Sequence, residues 1–139
     1  MLRIRLPYPA RSLSPNARRV WQASLMPKRE AREVGYYAAR KANKETWIPN
    51  RYRDLPAAYP PTYYLSESFD SDKPLRLRIA IHPPDNRRRD YINVLSAIKN
   101  YEDGIMDYIG WDDRHIKHVD IRWRRSCPDG MVRYILYQK

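Results

Sequence analysis

Apolar and polar residues alternate in four short stretches of the chain, and this period of two is typical of half-buried β-strands. The stretches cover residues 2–6, 75–81, 119–123 and 132–136, and arginine fills several of the polar positions. The last two stretches are separated by Pro-Asp-Gly at residues 128–130, which favours a hairpin-type turn. We therefore predict four strands, the last two of them joined by a hairpin.

Two longer segments have helical periodicity. Residues 28–46 are rich in Lys, Arg, Glu and Ala and place apolar residues at helical spacing, although Gly35 is unfavourable inside a helix. A second helix is predicted to end at Gly110, a residue suited to the left-handed conformation that follows many helices. One face of this helix should be buried, because apolar residues recur at intervals of three and four, at Val94, Ile98, Tyr101, Ile105 and Tyr108.

The segment between the first helix and the second strand, residues 48–74, is rich in proline and tyrosine and has no regular period. We interpret it as a long loop or insertion. The predicted order of elements is strand, helix, loop, strand, helix, strand, strand. This order corresponds to one small α+β domain over residues 1–139, with two helices on a mixed four-stranded sheet.

The chain carries a formal net charge of +11, from 27 Lys and Arg against 16 Asp and Glu. Such an excess favours binding to polyanions, because neutralised phosphates release condensed counterions. Half of the acidic residues fall within residues 85–120, whereas basic residues dominate residues 1–44. This distribution suggests a cation site set within a positive surface.

The composition also excludes several classes of protein. No apolar run approaches the ~20 residues that span a bilayer, and the first residues lack the apolar segment of a signal peptide. Cys127 is the one cysteine, which excludes an intrachain disulfide framework and a thiolate zinc site. We therefore expect a protein of the reducing cytoplasm, with no membrane segment and no small-molecule cofactor.

The candidate chemistry lies in the acidic segment. Asp90 follows three arginines at the predicted start of the second helix, and Asp112 and Asp113 follow that helix in a tight turn. If helix and turn fold back beside the end of the strand at 75–81, these carboxylates converge and offer the hard oxygen ligands that Mg²⁺ prefers. Alternatively, Asp90 is an N-terminal helix cap and the Asp112–Asp113 turn is simply solvated.

The same segment carries a longer motif. Residues 84–94 read Pro-Asp-Asn-Arg-Arg-Arg-Asp-Tyr-Ile-Asn-Val, and they are followed by Lys99, by Asp-Gly-Ile at 103–105 and by Gly-Trp-Asp-Asp-Arg at 110–114. This motif resembles the RusA family of Holliday-junction resolvases, and the opening of the chain, residues 6–16, is similar to the opening of that family. The resemblance implies a bacterial or phage-encoded homodimer, often prophage-borne. It would resolve four-way DNA junctions in recombination and repair by two symmetric nicks, with Mg²⁺ as cofactor and Mn²⁺ as a substitute.

The resemblance assigns catalytic roles to Asp90, Asp113 and Lys99. Asp90 and Asp113, with Asp112 beside them, would bind the metal ion, and Lys99 would stabilise the charge that develops on the phosphate. The DNA would be contacted by Arg87, Arg88, Arg89 and Asn93. Trp111 is expected close enough to touch DNA, whereas the other tryptophans are interpreted as core or interface anchors.

One position departs from the family pattern Asp-x-Asp-Asn, since Ile92 stands where the second aspartate belongs. Isoleucine cannot bind a metal ion, and Asp85, just before the motif, is the candidate substitute. Asp103 is too far along the helix to replace that carboxylate and is expected to pair with Lys99. Two alternatives therefore stay open: a catalytically impaired relative that binds branched DNA, and an unrelated small basic RNA-binding domain.

Overall fold

The structure is a computed structural model that describes residues 1–14, 21–47, 69–70 and 72–139. The predicted loop at residues 48–74 therefore lies almost entirely outside the described residues. Within the described ranges, no helix is both long enough and apolar enough to cross a membrane.

Four strands form one mixed sheet in the described part of the chain. Its strand order is β1-β4-β2-β3. β4 runs antiparallel to both of its neighbours, and β3 runs parallel to β2. The strands are β1 (Leu2–Pro7), β2 (Leu75–His82), β3 (Ile116–Trp123) and β4 (Met131–Tyr137).

Two α-helices of the described residues pack with this sheet, α1 (Trp21–Trp47) and α2 (Tyr91–Ile109). The predicted small α+β domain, with two helices and a mixed four-stranded sheet, is confirmed. α1 begins earlier than predicted, because the helix runs through Pro27. Proline inside a helix lacks the N–H of one backbone hydrogen bond and its ring crowds the carbonyl four residues earlier, so α1 includes an unfavourable position there. α2 ends as predicted, with Gly110 in the left-handed conformation at φ 73°.

Three rows of apolar side chains cross one face of the sheet, because paired residues of neighbouring strands point to the same side. The middle row joins Ile4, Tyr134 and Ile79, all of which are buried. On β3 the rows continue at three exposed residues, Val119, Ile121 and Trp123. The core therefore covers β1, β4 and β2 and reaches β3 only at its first residue, Ile116.

The turn before β4 is present, but it does not form a hairpin. The N–H of Gly130 donates to the carbonyl of Cys127 at 2.9 Å, and Asp129 has a positive φ of 63°. β2 lies between β3 and β4, so this turn carries the chain across the end of β2. The hairpin prediction is wrong because β4, with its alternate residues buried, takes a central place in the sheet, whereas β3 remains at the edge.

α1 and α2 pack backbone against backbone. A Cβ added at Gly35 would lie 2.1 Å from the carbonyl oxygen of Tyr101, and one added at Gly104 would lie 1.8 Å from the carbonyl oxygen of Arg32. Beside this contact, the Arg32 guanidinium donates to the Asp107 carboxylate at 2.8 Å. Gly35 is therefore inside a helix because no larger residue allows so close an approach.

We predict that Gly104→Ala lowers the free energy of unfolding by at least about 2 kcal/mol, because the added methyl group forces the helices apart. Helix propensity alone predicts the opposite sign, a gain of about 1 kcal/mol. Urea denaturation followed by circular dichroism measures the change. Ser96→Ala, at an exposed position of the same helix, is the control and should change stability by less than about 0.5 kcal/mol. A stabilised Gly104→Ala variant would contradict the close contact.

Candidate functional site

The three arginines before α2 have different environments. The Arg89 side chain is only 20% exposed, and its guanidinium donates to the carbonyl oxygens of Asp85 and Arg87, both at 2.9 Å, and to the Asp85 carboxylate at 2.6 Å. It also lies over the ring of Tyr8, with Cζ 5.6 Å from the ring centre. Arg89 therefore closes the loop between β2 and α2 and fastens it to the segment after β1.

Asp85 is the acidic partner in this loop. Its carboxylate accepts the N–H of Arg87 at 2.9 Å in addition to the Arg89 guanidinium. These two hydrogen bonds, that of the Arg87 N–H first, hold the pKa of Asp85 below its usual value. The candidate substitute for the missing carboxylate at position 92 is thus engaged in shaping the loop.

A cleft of about 450 Å³ lies between the segment after β1 and this loop, and we call it the arginine cleft. Arg11 and Arg88 line it, and neither has an ion-pair partner among the described residues. Its walls also include Asp90 and Asn93. The two unpaired guanidinium groups make the arginine cleft suited to an anion such as a backbone phosphate.

Asp90 is the N-cap of α2, as the cap alternative predicts. It has extended backbone geometry, and its Oδ1 accepts the N–H of Ile92 at 2.9 Å. The Ile92 side chain is 57% exposed, so the position of the missing carboxylate faces solvent. The cap occupies one oxygen of Asp90 and leaves the carboxylate accessible.

Lys99 lies at the centre of a group of acidic residues that we call the lysine cluster. Its Nζ is 2.7 Å from Asp113 Oδ2, 2.9 Å from Glu102 Oε1 and 3.1 Å from Asp103 Oδ1. The predicted Lys99–Asp103 pair is confirmed. Glu102 was not predicted, although its spacing of three residues from Lys99 on a helix is a usual signal for such a pair.

The charge of Lys99 is fixed by this cluster. Partial burial by itself would lower its pKa, but the hydrogen bonds with Asp113 and Glu102 outweigh that effect and raise the pKa well above its ordinary value. Behind the cluster, burial and then the nearby Glu102 raise the pKa of Tyr134. Lys99 is therefore a permanent cation held in place by three carboxylates.

Asp112 and Asp113 begin a short 3-10 turn, Asp113–His115, that leads into β3. The N–H of Arg114 donates to Asp112 Oδ1 at 3.0 Å, and the Arg114 guanidinium is 3.0 Å from Oδ2. The Arg114 N–H, then the neighbouring Asp113 carboxyl and the guanidinium, lower the pKa of Asp112. Both aspartates are exposed at the surface.

The structure joins some of the sequence-predicted site residues and not others. Lys99 and Asp113 are in direct contact, across α2 and the turn that follows it. Asp90 bonds within the cap at the start of α2, whereas Asp112 and Asp113 bond to Arg114 and Lys99 after the end of that helix. Lys99 and the arginine cleft also lie on different faces of α2. Asn93, which lines the cleft, and Lys99 differ by about 120° around a helix of 3.6 residues per turn.

A magnesium ion, which the resemblance implies, can be tested against these donors. The described residues contain no group of three His, Cys, Asp or Glu side chains arranged to hold a metal ion. Mg²⁺ commonly takes only one or two protein carboxylates and completes its shell with waters and substrate phosphate. The exposed oxygens of Asp112 and Asp113 therefore fit an open, water-rich site but not a closed cage.

We call the loop between β2 and α2, residues 83–90, the arginine loop. A second cleft, of about 440 Å³, also lies beside this loop. Tyr91 and Trp123 line it, and they are 57% and 41% exposed. We call it the aromatic cleft, and its remaining walls are Pro83, Asp85, Asn86, Arg87 and Arg89. Trp123 is thus not a core residue, whereas Trp111, the tryptophan expected to touch DNA, is half-buried against Phe69 and His115.

Comparison with known proteins gives a relative without a described activity. An uncharacterized protein of Xylella fastidiosa (strain Temecula1 / ATCC 700964) is 31% identical over 114 residues, which cover 82% of this chain and 61% of that protein. The chain thus spans about three fifths of the length of this relative. No protein-family model matches the chain.

The different environments of Arg88 and Arg89 predict different effects on stability. Arg89→Ala should lower the melting temperature by several degrees, because it leaves two carbonyl groups and the Asp85 carboxylate without their partner. Arg88→Ala, an identical truncation at the neighbouring position, should leave the melting temperature within about one degree. Thermal unfolding by circular dichroism tests both variants. Equal melting temperatures for the two would mean that Arg89 does not fasten the loop.

Proposed function

We propose that this protein is a structure-selective endodeoxyribonuclease resembling RusA, which acts as a homodimer and resolves four-way DNA junctions by paired nicks. The observation that carries the proposal is the 2.7 Å contact between Lys99 Nζ and Asp113 Oδ2. It links two parts of the motif that belong to different elements of the fold, in the combination of a cation and a carboxylate that phosphodiester hydrolysis uses.

The positive surface supports DNA as the substrate. The net charge is +11, and Arg11 and Arg88 have no ion-pair partner among the described residues. Arg87 is 75% exposed at its side chain and has only a 3.8 Å pair with Asp85. These three arginines are therefore the proposed backbone contacts, with Asn93 beside them in the arginine cleft. Arg89 would serve the site by holding the loop.

In the proposed reaction, Lys99 is the group that stabilises the negative charge on the scissile phosphate. Asp113 keeps its ammonium group in position and, with Asp112, would hold the metal ion in the exposed turn after α2. Bound Mg²⁺ would supply Lewis-acid polarisation of the phosphate and a bound water of lowered pKa. The resemblance gives Asp90 a metal-binding role as well, but Asp90 caps α2 and lines the arginine cleft, so the ligands proposed from the geometry are Asp112 and Asp113.

The alternative is a catalytically impaired relative that binds branched DNA without cutting it. The specific observation in its favour is Ile92, an exposed apolar side chain at the position of a metal-binding carboxylate. With Ile92 there, the open site would hold Mg²⁺ weakly.

We predict that Asp113→Asn abolishes metal-dependent nicking of a synthetic four-way junction and leaves junction binding intact or slightly tighter. The change removes a metal ligand and one of the three carboxylates that hold Lys99, and it also removes a negative charge near the DNA backbone. Gel assays of nicking and of binding measure the two effects. Asp129→Asn is the matched control, since it makes the same charge change in a turn with positive φ, which Asn tolerates.

Two results would count against this assignment. Wild-type nicking rates in Asp113→Asn would remove Asp113 from the site. Tighter binding of structured RNA than of junction DNA at the same salt concentration would favour the RNA-binding alternative over any resolvase.

Arg88→Ala should lower the slope of log affinity against log salt by about 0.9 if Arg88 contacts one phosphate.

We predict that Ile92→Asp raises the nicking rate at limiting Mg²⁺ or Mn²⁺ by at least about tenfold, or ~1.4 kcal/mol of barrier. The variant supplies the missing ligand, and its stability should be preserved because the side chain is exposed and a negative charge suits the first turn of a helix. Ile92→Asn, similar in shape but neutral, is the control and should give a much smaller gain. The measurement is a metal titration of junction nicking.

The outcomes separate the two candidate functions. Brisk wild-type nicking at low Mg²⁺ with no gain in Ile92→Asp would mean that another group completes the metal site. If neither protein cuts while both bind junctions, the catalytically impaired relative is the better account.

A further inference from the structure

We infer that the aromatic cleft binds an unpaired nucleobase by stacking it on Tyr91 and Trp123, with Arg87 beside its phosphate. The inference rests on the proposed function and adds to it a recognition element for the unpaired bases of branched DNA. Two aromatic side chains, 57% and 41% exposed, line one cleft whose other walls include two arginines. Base–aromatic stacking tolerates any sequence, because every base has a π-face.

Both aromatic residues are held by regular backbone structure. Tyr91 is the first residue of α2, directly after the Asp90 cap. Trp123 is the last residue of β3 and pairs in register with Ile81 of β2. Immediately after it, the N–H of Arg124 donates to the carbonyl oxygen of Ile81 at 2.8 Å. A base entering the cleft would therefore meet a preorganised platform, which reduces the entropy lost on binding.

The charges around the cleft suit a nucleotide. Arg87 is highly exposed, and Arg124 and Arg125, which follow Trp123, have no ion-pair partner among the described residues. Asp85 is the acidic wall residue, and Arg89 neutralises it at 2.6 Å. The cleft therefore presents two aromatic side chains beside the exposed Arg87, a combination of stacking faces and positive charge that suits a single strand.

A second copy of this chain is the competing occupant, because Val119 and Ile121 are exposed on the same face of β3 as Trp123. These two residues do not line the cleft, whose walls are largely polar and charged. The cleft itself therefore fits a nucleotide better than a second copy.

The test compares two probes of equal charge, a short oligothymidylate and an abasic chain of the same length. The intact protein should bind the oligothymidylate at least about tenfold more tightly than the abasic chain, because only the former can stack. Trp123→Leu and Tyr91→Ala should each reduce this preference at least about fivefold, and Trp123→Phe should retain most of it. Val119→Ala, an exposed truncation on the same strand outside the cleft, is the control and should leave the preference unchanged.

Binding of a four-way junction is measured in parallel, so that the two proposals can fail separately. If the intact protein binds junctions but does not distinguish the two single-stranded probes, the stacking inference is overturned and the resolvase proposal stands. If it binds neither junctions nor oligothymidylate, both are overturned. If Trp123→Leu and Val119→Ala dissociate a dimer in sedimentation velocity and both keep the full base preference, the face is an interface between copies and the stacking inference is overturned.

Discussion

The backbone contact between the two helices fixes the placement of most other features. At Gly35 and Gly104 the helices approach so closely that neither position has space for a Cβ. This contact sets the rotation of α2, and the buried side of α2 then covers the sheet while the stripe with Ile92 and Lys99 faces outward. A rotation of α2 by one residue, about 100°, would move Lys99 away from Asp113. It would also change the direction in which the arginine loop enters the helix. Packing at two glycines thus determines the orientation of the candidate site.

The arginine loop illustrates how equal charges in a sequence acquire unequal roles. The sequence alone suggests that all three consecutive arginines contact DNA, but in the structure their side chains have different surroundings. Arg89 turns inward and satisfies carbonyl groups that would otherwise lack partners, Arg88 turns toward the arginine cleft, and Arg87 borders both clefts. The inward arginine gives the loop its shape, and that shape presents the other two to an anion.

Sequence periodicity predicted the strands and α2 well, because burial on one face imposes periods of two and 3.6 on the residues themselves. It could not predict the strand order, since the alternation in β3 and in β4 looks alike although only β4 lies under the helices. For the same reason periodicity alone gives no sign that Trp123 is exposed beside a cleft. Within the candidate site, the Lys99–Asp103 pair follows from helical spacing, whereas the Lys99–Asp113 contact depends on how the chain turns after Gly110.

The position of β4 has a consequence for folding during synthesis. β4 is the last strand along the chain, yet it lies between β1 and β2 and pairs with both. Until residues 131–137 leave the ribosome, β1 has no partner among the described strands and the three apolar rows are incomplete. Contacts between residues so far apart in sequence, such as Leu2 with Leu136, close slowly. Until residues 131–137 have been synthesised, the described strands β1 and β2 therefore lack their shared central neighbour, and unpaired strand edges of this kind favour aggregation.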